Sequence, residues 1–508
     1  MIWGSSAVSP GAPQRGRTLS LSPSFRLPLL LIVLVGVALR IAPWLRPNVF
    51  LGVQEYDDGV YYGAARALLH GLLPYRDFTI VHPPGSAVLL LPFAALGSVL
   101  GDPVGLAGAR VAIAVVAVVN LLLVYRLAQF LPTAPSRARI VPLLAAAVYA
   151  VLPNVVQAEH TVLLEPLVNV LCLSATLLLQ RGRRGVALAG ALCAVALSVK
   201  LFAAVYVLAL LGWLLLTRRR QVLPYLAGLT AGLAVMVLPF AALAPERFWH
   251  NVVVTQLSRP LDSPVSGLHR LADLVGLGAF PAALPLVAAL VLVGLFRARE
   301  AGCTPLTLWL AVGLGSAVAF LASASYFPHY GAFLAPPLAL VLAGAVARPP
   351  ARLQSVSVII LLAVLAGSSV LAEARTHGQA DLRRVAGLVP AGSCVFSENA
   401  STALAVGLFA APSARCPGWI DGRGVSYDGN TDWPRDRNFY FAGFTGDARW
   451  QAELQHQFAR ADFLLLTGPP AQLPEWSAAT RAYAETHFRL VLDLPAPGRG
   501  SAQVWRRS

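Results

Sequence analysis

Long apolar runs recur along this chain from Leu27 to Leu371 and are separated by short polar loops. Hydrophobic residues occupy 57% of the 508 positions, charged residues only 12%, and the mean hydropathy is +0.66. An apolar run of about 17 to 25 residues is long enough to cross a bilayer as an α-helix. A water-soluble domain does not carry many such runs. The sequence therefore predicts an all-α membrane domain that crosses the bilayer many times.

The loops alternate between basic and acidic or mixed composition, which predicts their side of the membrane because cytoplasmic loops collect Lys and Arg. The alternation places the basic tail, residues 1–26, in the cytoplasm and predicts about eleven spans. These fall near residues 27–43, 106–126, 140–156, 161–180, 185–199, 201–216, 222–242, 271–296, 304–322, 332–347 and 355–372. Counting the apolar segment 84–100 would place every later basic loop outside. That segment is therefore predicted to be a juxtamembrane or re-entrant helix on the outer face.

The first apolar run follows the basic residues Arg15, Arg17 and Arg26, as it does in a secretory signal. No small-residue cleavage site follows, since the run continues through Arg40 to Pro43. The segment is predicted to be an uncleaved signal anchor, and residues 27–372 then form one membrane domain with a long outer loop at 44–105.

Residues 185–216 carry Arg clusters at both ends, which predicts that both ends lie on the cytoplasmic side. The segment is therefore predicted to be two short helices with Lys200, the one Lys of the chain, at the outer tip between them. A side chain that only snorkels to the headgroups is the alternative for Lys200. A Lys at the bilayer centre would cost about 2.5 to 3.5 kcal/mol, so the outer boundary is favoured under either interpretation.

After Leu371 the composition becomes polar, and eleven spans place residues 373–508 outside the membrane as a small α/β domain. Short apolar segments predict strands and mixed segments predict helices. The strands fall at 393–396, 461–466, 488–492 and 502–505, and the helices at 401–409 and 478–487. Cys394 and Cys416 lie in this domain and could form a disulfide in an oxidising compartment, which the sequence leaves open.

The net charge of +15 is compatible with nucleic-acid binding, but the Arg residues lie in short loops between apolar runs. They form no dense patch interleaved with exposed aromatic residues, which argues against nucleic acid. The charge is interpreted as membrane topology and attraction to anionic lipid headgroups. No zinc-ligand spacing is present, although a divalent metal stays possible.

Under this topology the outer boundary collects both carboxylates and cations. Such a mixture suits a sugar transferase that uses a lipid-linked donor, since a carboxylate can take the proton of the acceptor hydroxyl and cations can stabilise the leaving phosphate. The residues are Asp57, Asp58, Asp77, His82, Arg110, Glu159, His160, Glu165, Lys200, Tyr326, His329 and Tyr330.

Several short motifs lie at this boundary. The first outer loop contains Asp57-Asp58-Gly59-Val60-Tyr61, Ala65-Arg66-Ala67-Leu68-Leu69-His70-Gly71, Pro74-Tyr75-Arg76-Asp77-Phe78 and His82-Pro83-Pro84-Gly85. Later segments are Gly108-Ala109-Arg110, Leu164-Glu165-Pro166, Ser198-Val199-Lys200, and His329-Tyr330 with Pro336-Pro337. Together they resemble the GT-C fold membrane glycosyltransferases, in particular the dolichyl-phosphate-mannose protein mannosyltransferase-like family and the aminoarabinose lipid A transferase.

The resemblance implies a role for each matching acid. Asp57 matches the catalytic base of a single inverting displacement, and Asp58 stands where that family usually has Glu. Adjacent carboxylates repel, so one of them can be partly protonated. Glu165 matches the second external acid, which shapes the site or binds a metal in some branches.

The resemblance also implies the groups that hold the donor and the sugar. Lys200 and Arg110 match positions near the donor phosphate, and His82 and His329 are expected to assist them. His82 replaces the Lys of a Lys-Pro-Pro motif, and an imidazole is fully charged only when protonated. Tyr61 and Tyr330 are the expected substrate-binding aromatic residues.

Structural interpretations of the same residues stay open at this point. Asp57 could cap a helix that begins near Gly59, and Asp77 could be a turn residue paired with Arg76. Glu159 and His160 could be solvated loop residues, and Tyr326 and Tyr330 could be interfacial belt aromatics.

The predicted function is the transfer of a sugar from a polyprenyl-phosphate donor to a glycan, lipid or protein acceptor on the outer side of the plasma membrane. A transporter or lipid flippase is the alternative. It would need ionisable groups through the bilayer midplane and often has paired repeats, whereas here the groups gather at one boundary and no repeat is visible. A non-catalytic scaffold would fit if the acids are only helix caps.

Overall fold

The computed structural model describes residues 23–181, 185–259, 265–302, 304–348, 352–413, 415–416, 418–427, 444–495 and 502–508. Most of the membrane domain is helical. Its helices are α1 Pro23–Ile41, α2 Tyr56–Leu69, α3 Gly85–Leu100, α4 Asp102–Ala128, α5 Ile140–Val151, α6 Pro153–Ala158, α7 Glu165–Arg181, α8 Val186–Val199, α9 Ala204–Thr217, α10 Val222–Met236, α11 Leu238–Leu243, α12 Pro245–Trp249, α13 Thr255–Ser258, α14 Gly267–Leu274, α15 Leu284–Ala301, α16 Pro305–Ala322, α17 Gly331–Ala345 and α18 Arg352–Ala374.

Within the described residues, five helical stretches are long and apolar enough to cross a bilayer. They are Arg26–Leu45, Asp102–Ala128, Pro281–Ala301, Pro305–Ala322 and Arg352–Ala374. Shorter apolar helices accompany them at Gly85–Leu100, Ile140–Val151, Val186–Val199 and Leu201–Thr217. A mainly helical membrane domain is thus confirmed, whereas the count of eleven spans stays a prediction.

The predicted span at 271–296 has the wrong boundaries. Helix α14 ends at Leu274, and the chain turns at Gly276, whose φ of +78° favours glycine, before the next helical stretch begins at Pro281. The predicted span at 140–156 is also divided, because Pro153 starts the separate helix α6 after an extended Leu152.

Lys200 lies between two helices, as the sequence predicts for the segment 185–216. Its backbone is extended, with φ −154° and ψ 130°, and a 3₁₀ turn at Leu201–Ala203 leads into α9. Helix α8 packs closely on α10, since a Cβ at Gly190 would lie 2.0 Å from the Tyr225 carbonyl oxygen. Small residues permit such close approach of membrane helices.

Among its described residues, the C-terminal domain contains five helices and a four-stranded sheet. The helices are α19 Arg383–Ala386, α20 Ala400–Ala405, α21 Gly422–Tyr427, α22 Ala448–Arg460 and α23 Ala478–His487, and the strands are β1 Val395–Ser397, β2 Phe463–Leu466, β3 Phe488–Leu494 and β4 Ala502–Arg507. The strand order is β1-β2-β4-β3, with β1 and β2 parallel and the other pairs antiparallel. The four predicted strands and the α/β character are confirmed, while the extracytoplasmic location stays a prediction.

The two cysteines of this domain form a disulfide, which answers the question that the sequence left open. Cys394 precedes β1 and Cys416 lies in the loop after α20. Cys172 and Cys193 are buried and unbonded to one another, and Cys303 lies outside the described residues.

Candidate active site

Helix α2 carries the acidic pair. It begins at Tyr56, because Glu55 before it is still extended, and Asp57 and Asp58 lie in its first turn, where negative charge is favourable for the helix dipole. Asp57 is therefore not at the capping position, and the interpretation of Asp57 as a cap of a helix that begins near Gly59 is wrong. Its carboxylate instead accepts a hydrogen bond from the Tyr61 hydroxyl at 3.2 Å.

Tyr61 joins Asp57 to His82. The Tyr61 hydroxyl lies 3.3 Å from His82 Nε2, and the side chain of Tyr61 is only 1% exposed. Burial first, and the charges of Asp57 and Glu165 next, raise the pKa of Tyr61 well above its ordinary range. The phenol therefore stays protonated and donates its one proton to Asp57, which leaves His82 Nε2 to donate to the phenol oxygen.

A second group of residues lies around Lys200. The ammonium donates a hydrogen bond of 2.5 Å to Glu165 Oε1, and both side chains are buried. His329 Nε2 lies 3.9 Å from the same carboxylate oxygen, and Lys200 Nζ lies 4.8 Å from the ring centroid of Tyr330. The start of α7 supplies Glu165 and the break between α8 and α9 supplies Lys200, so the local helix ends bring these charges together.

Electrostatic interactions tie the two groups into one cluster. Burial first, and then the charges of Lys200, Arg259 and His329, hold the pKa of His82 well below its ordinary value. Burial lowers the pKa of His329 as well, although Glu165 and Asp57 oppose that shift. Seven of the nine predicted site residues thus meet in one place, which we name the Asp57–Lys200 cluster: Asp57, Tyr61, His82, Glu165, Lys200, His329 and Tyr330.

The other two predicted residues, Asp58 and Arg110, form a separate buried pair. Arg110 Nη2 lies 2.7 Å from Asp58 Oδ2, both side chains are 0% exposed, and Arg110 Nη1 donates to the Phe50 carbonyl. Thr161 Oγ1 donates to the same Asp58 oxygen at 2.7 Å. These contacts fix the start of α2, whereas a role for Arg110 at the donor phosphate stays a prediction.

Sequence analysis missed Ser401, which fastens the C-terminal domain to α2. Its hydroxyl accepts from the Gly59 backbone N–H at 2.9 Å and lies 2.7 Å from Asp58 Oδ1. A Cβ at Gly59 would come within 2.2 Å of the Ser401 backbone nitrogen, so only glycine fits there. No motif signalled this contact, since the residues are far apart in sequence.

Asp421 was also missed. It accepts a hydrogen bond at 3.4 Å from the hydroxyl of Tyr56, the residue that directly precedes the predicted base Asp57. Burial raises the pKa of Asp421 to about 6, and the charge of Asp57 acts in the same direction. The C-terminal domain therefore adds a second carboxyl group to the surroundings of Asp57.

The remaining boundary residues have structural partners. Glu159 is 1% exposed and pairs with Arg40 at 2.6 Å, so its interpretation as a solvated loop residue is wrong. Asp77 pairs with Arg76 at 2.7 Å and accepts from the Leu73 backbone N–H, as a turn residue does.

Two more boundary residues, Tyr326 and His160, are hydrogen-bonded to backbone carbonyl groups, and the described acidic, His and Cys side chains form no candidate metal site. The Tyr326 hydroxyl donates to the Arg270 carbonyl at 3.1 Å, and His160 Nδ1 lies 3.0 Å from the Val156 carbonyl. Within the part of the chain that the structure describes, no three His, Cys, Asp or Glu side chains are placed to hold a metal ion.

Comparison with known proteins adds a family match for part of the chain. Residues 81–241 match the family described as dolichyl-phosphate-mannose-protein mannosyltransferase. No protein with a curated function matches the chain in a sequence search.

Solved structures match nearly the whole chain. ArnT from Cupriavidus metallidurans bound to undecaprenyl phosphate is 15% identical with a TM-score of 0.58, over 96% of this chain and 98% of that one. The archaeal oligosaccharyltransferase AglB from Archaeoglobus fulgidus, in complex with an inhibitory peptide and a dolichol-phosphate, is 13% identical with a TM-score of 0.54, over 96% and 74%.

A third match is the arabinofuranosyltransferase AftD from Mycobacteria, which is 16% identical with a TM-score of 0.50, over 96% of this chain and 42% of that one. At these identities the likeness concerns the fold. The resemblance inferred from the motifs is confirmed on that basis: the chain has the fold of the GT-C membrane glycosyltransferases and carries the mannosyltransferase family match over residues 81–241.

Proposed function

We propose that this protein is a membrane glycosyltransferase that moves one sugar from a polyprenyl-phosphate donor to an acceptor on the outer side of the plasma membrane, with inversion at the sugar carbon. The observation that carries the proposal is the Asp57–Lys200 cluster, in which a half-buried carboxylate and a buried ammonium both act on His329. A proton acceptor and an anion holder are the two groups that such a reaction needs.

Asp57 is the base in this proposal. The Tyr61 hydroxyl holds Asp57 Oδ2, which leaves Oδ1 to accept the proton of the acceptor hydroxyl. The oxygen of the acceptor hydroxyl forms a bond to the anomeric carbon as it loses its proton to Asp57 Oδ1, while the bond from the same carbon to the phosphate oxygen breaks and its electrons leave with the phosphate. One displacement of this kind inverts the anomeric centre, and holding both partners in place lowers the barrier.

Lys200 and His329 hold the departing phosphate. An ammonium has three N–H donors, and the one bond described for Lys200 goes to Glu165, which orients the side chain. The lowered pKa of His329 makes it a neutral donor near pH 7, so Lys200 supplies the formal positive charge. No general acid is needed, because the lipid phosphate leaves as a stabilised anion.

The choice of a lipid phosphate donor is supported by the structures of similar fold. ArnT is seen with undecaprenyl phosphate and AglB with a dolichol-phosphate. A site at the membrane boundary suits such a donor, because the phosphate headgroup lies there while the chain lies in the bilayer. Asp58 and Arg110 are positioning residues in this proposal, since they fasten α2 from its buried side.

Replacing Asp57 by Asn tests the proposal. Asp57→Asn is expected to abolish transfer, because an amide cannot take the proton, while binding of the donor and folding persist. Mass spectrometry of cell-envelope glycans, in a deletion strain complemented with each variant, measures the product.

Asp77→Asn is the matched control, since Asp77 is a turn residue in the same outer loop. It should restore the glycan to the wild-type level. Near-normal product with Asp57→Asn would remove Asp57 from the reaction.

A further inference from the structure

A cavity of about 220 Å³ lies in the C-terminal domain where this domain meets α2. Three indoles and several polar groups form its walls, and Tyr56 of α2 closes one side. The residues on which the argument depends are Trp419, Trp450, Glu398, Arg423 and Glu475. This cavity is separate from the Asp57–Lys200 cluster, although Tyr56 precedes Asp57 directly.

We propose that this cavity binds a sugar ring of the acceptor, so that the acceptor is a molecule that already carries a glycan unit. The inference rests on the proposed function, because it identifies the substrate class of the same reaction.

The indoles provide a rigid wall for a sugar ring. Trp419 and Trp450 stack with ring centroids 4.8 Å apart and 27° between their planes, and Trp419 Nε1 donates to Glu453 Oε1 at 3.2 Å. A pyranose or furanose ring has an apolar face of C–H groups, and such a face packs well on an aromatic surface. Pockets for small ligands commonly combine aromatic walls with a few placed polar groups.

The polar groups of the cavity match sugar hydroxyls, which both donate and accept hydrogen bonds. Arg423 Nη2 and Glu475 Oε1 pair at 2.6 Å with side chains 30% and 24% exposed, so both can be reached from solvent. Burial raises the pKa of Glu398 to about 7, so its carboxyl group exists in both the donating and the accepting form near neutral pH.

One of the indoles in this wall has an N–H group that makes no hydrogen bond. Among the described residues, the indole N–H of Trp450 is buried without a hydrogen-bond partner. Buried donors without a partner are rare in folded proteins, so this one is consistent with another molecule binding beside Trp450.

The cavity is connected to the proposed base through Tyr56. The Arg423 backbone N–H donates to the Tyr56 hydroxyl at 3.1 Å, and that hydroxyl donates to Asp421. A sugar ring held against Tyr56 would therefore place the next unit of the acceptor near Asp57. In this arrangement the cavity selects the acceptor while the cluster carries out the transfer.

Saturation-transfer NMR on the full-length protein in nanodiscs tests the proposal. The probes are the methyl glycosides of mannose, galactose, glucose, arabinose and xylose. We expect at least one glycoside to bind the wild type and to bind Glu475→Gln about tenfold more weakly, because one charged hydrogen-bond partner is lost. Trp419→Ala is expected to lose binding altogether, since the wall is removed.

Asp381→Asn is the matched control for Glu475→Gln, because Asp381 also pairs with an Arg in the C-terminal domain, at 2.8 Å from Arg383. It should bind as the wild type does. If Trp419→Ala does not fold, as judged by its thermal unfolding, Glu475→Gln still decides, because the Glu475 side chain is partly exposed and its replacement leaves the fold intact. Failure of every glycoside to bind, or equal binding by folded Glu475→Gln and wild type, overturns the proposal.

The experiment separates this inference from the proposed function. Glycoside binding is expected to persist in Asp57→Asn, because Asp57 does not line the cavity. Normal transfer by Asp57→Asn together with glycoside binding would contradict the role of Asp57 as base but support the sugar subsite. Loss of transfer by Asp57→Asn without any glycoside binding would support the role of Asp57 and contradict the sugar subsite.

Discussion

Two buried ion pairs, Asp58 with Arg110 and Glu165 with Lys200, differ in how completely their carboxylates are bonded. Asp58 and Arg110 are 0% exposed, and each Asp58 oxygen has a neighbouring donor in Arg110, Thr161 or Ser401. In the pair of Glu165 and Lys200, by contrast, part of the hydrogen-bonding capacity is unused. Within the described residues Glu165 Oε2 is buried without a hydrogen-bond partner. The first pair suits a structural role and the second suits a ligand.

Energetics support this distinction. A buried ion pair gains little over apolar packing, but removal of one partner leaves an uncompensated charge at high cost. A pair whose carboxylate is fully bonded therefore shows its importance in stability. Lys200 has one described hydrogen bond, to Glu165, so its other N–H donors can bind an anion beside His329.

The largest expected effect comes from breaking the bonded pair. Arg110→Ala should lower the stability of the protein by about 3–5 kcal/mol, because Asp58 is left buried and uncompensated. The midpoint of thermal unfolding in detergent measures this loss.

Arg383→Ala is the matched control, since its pair with Asp381 is exposed at 82% and 38% and should contribute little to stability. An Arg110→Ala protein as stable as this control, but unable to bind the donor, would show that Arg110 is a phosphate ligand. The contrast between the two pairs would then be lost.

Lys200→Met should have the next largest effect, and on the reaction rather than on the fold. Transfer is expected to fall about 10²–10³-fold, as on removal of one group that stabilises developing charge. The midpoint of unfolding should fall less than in Arg110→Ala, because His329 remains beside Glu165.

Arg220→Met, an exposed cation of a basic loop, is the control for the loss of a positive charge. Rates from single-turnover transfer of a labelled sugar compare the two. A Lys200→Met protein with near-normal rate but poor stability would place Lys200 in the structural class with Arg110.

The smallest expected effect is on the pH dependence of stability, and it comes from His82 in the Asp57–Lys200 cluster. The pKa of His82 is held below the ordinary value of about 6.5 by burial and by the charge of Lys200. Well above pH 6.5 this imidazole is neutral in both the folded and the unfolded protein and contributes nothing to the pH dependence. As the pH falls below about 6.5, the unfolded chain takes up the proton first, so stability decreases by up to about 1.4 kcal/mol per pH unit.

His82→Asn should reduce that loss between pH 7.5 and 5.5, as measured from unfolding midpoints. His269→Asn is the control, since the His269 side chain is 52% exposed. Equal acid sensitivity of His82→Asn and wild type would contradict the assignment.

The sequence was informative wherever local pattern decides the structure. Lys200 was predicted to interrupt 185–216 because the segment is flanked by Arg at both ends, and the extended backbone at Lys200 agrees. The four strands followed from short apolar runs between polar segments. The family resemblance implied nine site residues, and seven of them lie in the Asp57–Lys200 cluster.

The failures concern contacts between distant segments. The sequence predicted that Arg110 lies at the outer boundary, but it could not predict the direction of the side chain. The guanidinium is bonded to Asp58 and not to a member of the Asp57–Lys200 cluster. Ser401 and Asp421 approach α2 only through the docking of a separately folded domain, which hydrophobic periodicity does not describe. Glu159 appeared solvated because its partner Arg40 lies in another helix.

The contact between Ser401 and Gly59 has a consequence for biogenesis. Synthesis proceeds from the N-terminus, so every member of the Asp57–Lys200 cluster emerges from the ribosome before Ser401 does. A nascent or truncated chain that ends before this serine would contain the whole cluster and lack the clasp on its acidic helix. The contact between Ser401 and the start of α2 can therefore form only in the last quarter of translation.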